Sequence, residues 1–143
     1  MSLSIVKMIF LSFLLSVSIS RAIGQGIKFQ SGTWTDIQVR GNTDHKLIFV
    51  DIYAVWCGPC KAMAKNVFTQ AKVADHFNSQ YVNFAVDAEK GDGIDLAKRY
   101  GVESFPTYLF IDGTGKLVYR IEGALAADAF LAEAEKADEK FRK

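Results

Sequence analysis

The residues best suited to chemistry are Cys57 and Cys60, the only two cysteines of the 143-residue chain. Two residues separate them within the octapeptide AVWCGPCK, residues 54–61. An apolar, strand-like run from Leu47 to Tyr53 precedes the pair, and a helix-like run from Lys61 to Phe68 follows it. A strand that leads into a helix across a Cys-x-x-Cys pair is the arrangement that thiol–disulfide exchange requires.

The spacing assigns a different role to each sulfur. Cys57 lies just before the helix, where unpaired backbone N–H groups and the positive end of the helix dipole stabilise a thiolate. Pro59 suits the first turn of a helix, and Gly58 has no side chain to block a partner. Cys60 lies one turn further in, so we expect it to be the more buried, resolving thiol. Cys57 then attacks a partner's disulfide, and Cys60 releases the reduced partner.

Other uses of two cysteines fit less well. A structural disulfide rarely closes so short a loop, because short loops give little entropic stabilisation. A zinc site needs about four ligands, and His45 and His76 lack the usual paired spacing. A c-type haem site needs a histidine directly after the second cysteine, where this chain has Lys61. The pair therefore favours redox chemistry.

The octapeptide resembles the active site of the thioredoxin family, and the resemblance extends from about Lys46 to the C-terminus. Residues 48–54, IFVDIYA, resemble the central strand of that family, and residues 100–107, YGVESFPT, resemble its proline loop. Residues 123–125 resemble the turn into its last helix. The wider pattern is most similar to small exported bacterial proteins and to the thioredoxin-like domains of membrane-bound disulfide reductases. The resemblance implies an α/β thioredoxin fold, with a central mixed β-sheet flanked by helices on both faces.

Asp51 interrupts the apolar strand, and alternation places it on one face with Phe49 and Tyr53. A carboxylate there is costly unless something uses it. It is either an acid–base group that exchanges a proton with Cys60, with a pKa raised by burial, or a strand-end aspartate bonded to a backbone N–H or a lysine. The resemblance to thioredoxin's buried aspartate favours the first role. The second strand of thioredoxin carries a lysine partner for it, and the corresponding position here is Asn83.

The resemblance also implies a substrate-binding surface. It predicts a cis peptide bond at Phe105–Pro106 beside Cys57, with the backbone of Phe105 free to pair with a bound peptide. The ring of Phe105 either lines that groove or belongs to the core. The predicted substrate-binding residues are Trp56, Gly58, Pro59, Phe105, Pro106 and Gly123.

The N-terminal segment is typical of an export signal. Lys7 precedes an apolar run from Met8 to Val17 that is too short to cross a bilayer as a mature anchor. Small residues follow, so we expect cleavage after Ala22 or Gly24; an uncleaved anchor is the alternative. Residues 1–24 are thus predicted to be a signal peptide and residues 25–143 a thioredoxin-like domain, located in the periplasm or secreted.

The periodicity of the chain predicts its elements in order. We expect strand, helix, strand, helix, hairpin and helix, preceded by a short helix that Ser31 or Thr33 caps and that buries Trp34. Phe29 is predicted to add an edge strand, and residues 41–44 to form a loop. The strands are predicted at residues 47–53, 81–86, 107–111 and 116–121.

Composition limits the remaining functions. A formal net charge of +1 gives no reason to expect nucleic-acid binding. No Gly-rich phosphate loop or zinc spacing is present in the sequence, so we expect no cofactor beyond the cysteine pair and no metal. Trp56, Gly58 and Pro59 resemble the reducing members of the family.

We therefore expect a monomeric protein-disulfide reductase that acts on disulfide-containing proteins. It would draw electrons from an upstream thiol donor, for which a membrane reductant carrier is one source. An oxidant or isomerase of folding exported proteins, and a non-catalytic peptide-binding module, are the alternatives.

Overall fold

A computed structural model describes residues 26–143, so the predicted signal peptide lies outside the described residues. The described residues form five helices and four strands. The elements are α1 (Trp34–Asp44), β1 (Leu47–Tyr53), α2 (Gly58–Asn66), α3 (Ala71–Gln80), β2 (Tyr81–Asp87), α4 (Asp92–Arg99), β3 (Thr107–Ile111), β4 (Leu117–Glu122) and α5 (Ala127–Phe141).

The four strands form one mixed sheet in the order β2-β1-β3-β4. Strand β1 runs parallel to β2 and antiparallel to β3, and β3 is antiparallel to β4. Because β1 is central, its side chains are covered on both faces, which explains its nearly unbroken apolar sequence. The predicted α/β architecture, a central mixed sheet with helices on both faces, is confirmed.

Each face of the sheet has its own core. On one face, Phe49 packs with side chains from α2, α3 and α5, such as Met63, Phe77 and Phe130. On the other face, Ile48, Val50 and Ile52 pack against α1 and α4, where Trp34 is buried as expected. Alternation along β1 therefore sorts its side chains between two helical layers. None of the helices within residues 26–143 is long and apolar enough to cross a membrane.

The N-terminal cap of α1 is confirmed at Thr33. Its Oγ1 accepts a hydrogen bond from the backbone N–H of Asp36, and the carboxylate of Asp36 accepts one from the N–H of Thr33. This reciprocal capping box pairs two backbone donors that the helix itself leaves unpaired.

Two local predictions are wrong. Residues 41–44 lie in α1 and not in a loop, because Gly41 is a packing contact: a Cβ there would lie 2.6 Å from Cγ1 of Ile48. The helix ends only at His45, which has a positive φ of 53°. Phe29 adds no strand to the described sheet, since its segment makes isolated backbone bonds and its ring packs against Phe49 and Phe68.

The aromatic cluster around Phe49 is the densest part of the core. Its ring centroid lies 4.7 to 6.5 Å from those of Phe29, Phe68, Phe77, Tyr81, Tyr108, Phe110 and Phe130. Phe49 is fully buried on the central strand, so its removal leaves a cavity that neighbouring rings cannot easily fill.

We expect Phe49→Ala to lower the free energy of unfolding by about 3–5 kcal/mol, as other buried Phe→Ala changes do. Equilibrium urea unfolding of the disulfide-bonded protein measures this loss. The matched control is Phe141→Ala, because that ring is 41% exposed and should cost less than about 1 kcal/mol. Similar losses for the two variants would contradict the proposed role of Phe49.

Candidate active site

Cys57 and Cys60 lie at the junction between β1 and α2. Cys57 is the N-cap of α2 in extended conformation, and Pro59 occupies the first turn, as predicted. The two sulfurs form a disulfide bond. The Sγ of Cys57 also accepts a hydrogen bond from the backbone N–H of Cys60 at 3.2 Å. The sulfur is thus placed where a helix N-terminus stabilises negative charge.

The expected order of burial is wrong in this disulfide form. Cys57 is 3% exposed and Cys60 is 8% exposed, so the predicted resolving cysteine is slightly the more accessible. Both sulfur-bearing residues pack with Ala54 and Phe105, but Cys60 also borders a cleft that opens to solvent. Position along the helix alone therefore does not determine the exposure of the pair.

The proline loop lies close to the cysteines. The Phe105–Pro106 peptide bond is cis, as the resemblance implied, and Pro106 is buried. The N–H of Gly123 donates a hydrogen bond to the carbonyl of Pro106 at 2.8 Å, and the φ of Gly123 is +84°. This hydrogen bond connects the residue after β4 to the proline loop. The positive φ explains why the residue is glycine, because other residues adopt this conformation only with strain.

The surface around the pair is open and partly apolar. Gly58 and Pro59 are exposed, and no atom outside the local backbone would lie within 4 Å of a Cβ added to Gly58. Phe105 is half-buried: it packs against the cysteines and presents an edge to Trp56, with ring centroids 5.9 Å apart. The ring therefore belongs partly to the core and partly to the surface, and its role in a substrate groove stays a prediction.

Trp56 has a partner that the sequence did not reveal. Its side chain is 64% exposed, yet its indole N–H donates a hydrogen bond to Oε1 of Glu89 at 3.0 Å. The backbone N–H of Glu89 in turn donates to Oδ1 of Asp87 at 3.0 Å, which fixes the loop. Glu89 lies 33 residues further along the chain in a polar loop, and no local pattern connects it to Trp56.

Asp51 is buried and lines the same cleft as Cys60. It is 8% exposed, and its Oδ1 has no hydrogen-bond partner among the described residues. Burial raises the pKa of Asp51 from 3.8 to about 7, because a low-dielectric surrounding disfavours the charged form. Tyr108 lies opposite it on β3, and burial followed by the charge of Asp51 raises the pKa of the Tyr108 hydroxyl. The carboxyl group is therefore poised to exchange a proton near neutral pH.

Asn83, expected at the position of thioredoxin's lysine, directs its amide away from Asp51. Asn83 pairs with Phe49 in the sheet, and its amide donates hydrogen bonds to the carbonyl of Phe77 and to Oδ1 of Asn78. The β2 residue that pairs with Asp51 is Ala85. Neither residue therefore provides Asp51 with the cation that the resemblance associates with the buried aspartate.

A cleft of about 390 Å³ lies on the Cys60 side of the pair, and Asp51 is one of the residues that line it. Its walls are mostly apolar. The lining residues are Phe29, Asp51, Tyr53, Ala54, Val55, Cys60, Lys61, Ala64, Phe68 and Ala85. Residues 26–143 contain no cluster of His, Cys, Asp and Glu that could hold a metal ion.

Comparison with known proteins identifies the family. A profile described as a thioredoxin-like domain matches residues 35–138, which include the cysteine pair, Asp51 and the proline loop. The chain belongs to the thioredoxin-like family. This is a family of thiol–disulfide oxidoreductases with a Cys-x-x-Cys pair, and here that pair is Cys57 and Cys60.

Individual relatives match different fractions of this thioredoxin-like chain. Thioredoxin-1 of Drosophila melanogaster is 41% identical over 68 residues, 48% of this chain and 59% of the relative. The thiol:disulfide interchange protein DsbD of Tatumella citrea is 33% identical over 117 residues, 78% of this chain but 20% of the relative. The chain therefore spans less than two thirds of these two relatives.

The solved structures include one of higher identity. The solution structure of a candidate disulphide-isomerase from Bacteroides thetaiotaomicron is 42% identical, with a TM-score of 0.73. The match covers 81% of this chain and 96% of that one. A thioredoxin from Thermus thermophilus shares the fold at 21% identity, with a TM-score of 0.71 over 81% of this chain and 90% of that chain.

The raised pKa of Asp51 predicts a distinctive pH dependence of stability. The folded state holds the proton up to about pH 7, whereas the unfolded state loses it near 3.8, so the folded state binds more protons between these values. Stability must then fall as pH rises through this window. Above pH 7, ionisation of Asp51 lowers the free energy of unfolding by about 4 kcal/mol. Each unit of difference between the pKa values of the folded and unfolded states corresponds to about 1.4 kcal/mol.

Urea unfolding of the disulfide-bonded protein from pH 4.5 to 8.5 measures this effect. Relative to Asp51→Asn, the wild type should lose stability as pH rises to about 7 and then remain level. Asp75→Asn is the control, because Asp75 is exposed on α3. A wild-type curve parallel to that of Asp51→Asn would show that Asp51 titrates normally.

The hydrogen bond between Trp56 and Glu89 gives a second test. In Glu89→Ala, exchange of the Trp56 indole proton with solvent should accelerate about 3- to 10-fold, because a hydrogen bond contributes about 1 kcal/mol. Glu89→Gln keeps an acceptor oxygen and should exchange at nearly the wild-type rate. NMR of the indole N–H groups measures both, with buried Trp34 as internal reference. Equal rates in all three proteins would show that the bond is not formed.

Proposed function

We propose that this chain is a protein-disulfide reductase that cycles between a Cys57/Cys60 dithiol and the disulfide. The observation that carries the proposal is the position of Cys57: its sulfur caps α2 next to Cys60, which shares a cleft with the buried carboxyl group of Asp51. Thiolate stabilisation at one sulfur and an acid–base group near the other are the two requirements of the exchange reaction.

The first step uses the reduced protein. The Cys57 thiolate attacks one sulfur of a substrate disulfide and forms a mixed disulfide. The other substrate sulfur leaves as a thiolate and takes a proton from solvent. The open surface at Gly58 and Pro59 gives the substrate access to Cys57. The proline loop and the rings of Trp56 and Phe105 border the approach, and the N–H of Gly123 holds the carbonyl of Pro106 in place.

The second step releases the substrate. Asp51 accepts the proton of the Cys60 thiol, and the resulting thiolate attacks the Cys57 sulfur of the mixed disulfide. The Cys57–Cys60 disulfide forms, and the second substrate sulfur leaves and is protonated. Two electrons have passed from the protein to the substrate. An upstream thiol donor must return them, and a membrane reductant carrier would provide such a source for an exported protein.

We also propose that the protein works outside the cytoplasm. The support is the segment of residues 1–24, with its single early lysine, its apolar run and its small residues. Cell fractionation with N-terminal sequencing of the mature protein tests this. Processing near residues 22–24 supports export, whereas recovery of an unprocessed chain in the cytoplasm would overturn it.

An isomerase of folding proteins is the second candidate function. It is favoured by the 42% identity to the candidate disulphide-isomerase of Bacteroides thetaiotaomicron. The two functions differ in reduction potential, because an isomerase or oxidant has a much higher potential than a reductase. Equilibration with glutathione or with a thioredoxin of known potential separates them.

Cysteine variants test the proposed cycle. Cys57→Ser should abolish reduction of insulin disulfides, because serine provides no thiolate nucleophile. Cys60→Ser should instead accumulate a mixed disulfide with the substrate, since attack proceeds but release does not. Ser79→Ala serves as control, because Ser79 lies on the distant end of α3. A Cys57→Ser protein that retains reductase activity would disprove the assignment.

Asp51→Asn adds a kinetic test of the proton transfer. Release of substrate from the mixed disulfide should slow more than tenfold at pH 7, because general acid–base groups commonly contribute 10²-fold or more. The rate of the first attack should change much less. Rapid-mixing kinetics with a fluorescent peptide disulfide resolve the two steps, and equal slowing of both would argue against a specific role at Cys60.

A further inference from the structure

The cleft behind Cys60 has the dimensions of a small-molecule site. Its volume of about 390 Å³ falls in the range of ligand pockets, and an apolar cavity of about 150 Å³ already admits benzene. Three alanines, Ala54, Ala64 and Ala85, leave this space because their side chains end at Cβ. The cleft therefore has room for one or two aromatic rings.

The walls determine which ligand chemistry fits. The rings of Phe29, Tyr53 and Phe68 line the cleft, and the first of these is 36% exposed at the rim. Val55, 51% exposed, extends the apolar surface outward. Flat aromatic groups pack well against such rings.

The floor supplies one polar contact. Asp51 lines the cleft and is 8% exposed, and its buried Oδ1 has no partner among the described residues, so no hydrogen bond saturates this carboxyl group although buried polar atoms are normally bonded. The charged groups that line the cleft are Asp51 and, near its mouth, Lys61. The nearby ammonium group disfavours a cationic ligand, so a neutral donor such as a hydroxyl group suits this acceptor better.

We propose that this cleft binds a neutral aromatic alcohol of one or two rings, whose hydroxyl group donates a hydrogen bond to Asp51. The site is separate from the substrate surface, because Trp56, Phe105 and Pro106 do not line it. The ligand would cover Asp51 and Cys60 while Cys57 remains accessible. Its effect rests on the proposed reductase cycle: it slows release of the mixed disulfide and leaves the first attack unchanged.

A pair of matched probes tests the binding. Titration of the disulfide-bonded full chain with 2-naphthol should shift NMR signals of β1 and α2 residues around the cleft. The analogue 2-methoxynaphthalene keeps the rings but lacks the donor, and it should bind at least tenfold more weakly. Equal affinities, shifts confined to the Trp56–Pro106 surface, or no shift up to the solubility limit would each overturn the proposal.

Two alanine variants on one helix localise the site. Ala64→Leu narrows the cleft and should weaken 2-naphthol binding at least tenfold. Ala62→Leu is the matched control, because Ala62 is exposed on α2 and does not line the cleft. Its binding and its insulin reduction should equal those of the wild type. Unchanged binding in Ala64→Leu would place the probe elsewhere and overturn the assignment.

The effect on the cycle is measured separately. Saturating 2-naphthol should slow the release step of the wild type about tenfold with no change in the first attack. If the probe binds in the cleft but both steps keep their rates, the regulatory part is overturned. If the unliganded protein fails to reduce insulin, the proposed function fails, whereas loss of probe binding alone leaves that function intact.

Discussion

The active site depends on a sulfur atom that also serves as a helix cap. The backbone at Cys57 is extended while the next residue is helical, and its Sγ accepts the N–H of Cys60 at the start of α2. Side-chain acceptors at this position satisfy backbone donors that a helix leaves unpaired. Because the cap is the reactive atom, its charge, its geometry and the start of the helix are coupled, and β1, α2 and the proline loop all converge on it.

The second constraint on the site is the buried carboxyl group of Asp51. Asp51 occupies the central strand, where Ala85 and Tyr108 flank it and no hydrogen bond compensates its Oδ1. An ionised carboxylate in such a place destabilises the fold, so the aromatic packing around Phe49 on the same face must offset it. The sheet therefore tolerates a local cost at the position where proton exchange is useful.

The sequence predicted the parts of the fold that depend on local chemistry. The cysteine spacing, the apolar run of β1 and the Phe-Pro pair identified the site, because each has a strong local signature. The partner of Trp56, the register of Ala85 against Asp51 and the packing of Gly41 on Ile48 are contacts between different elements or loops. Periodicity assigns a residue to a face but not to its neighbour across the sheet. The relative burial of Cys57 and Cys60 was missed for the same reason, since it depends on the cleft and on Phe105.

The location of α5 has a consequence for how the chain acquires its shape. Phe130, Ala134 and Ala137 seal the face of the sheet that holds Phe49, and they follow every strand that they cover. During synthesis α2 and α3 can cover part of this layer, but the part under α5 stays open until the ribosome has passed α5, whereas α1 and α4 can cover the opposite layer earlier. A nascent chain of this design therefore completes the packing of one layer only after its last helix has been made.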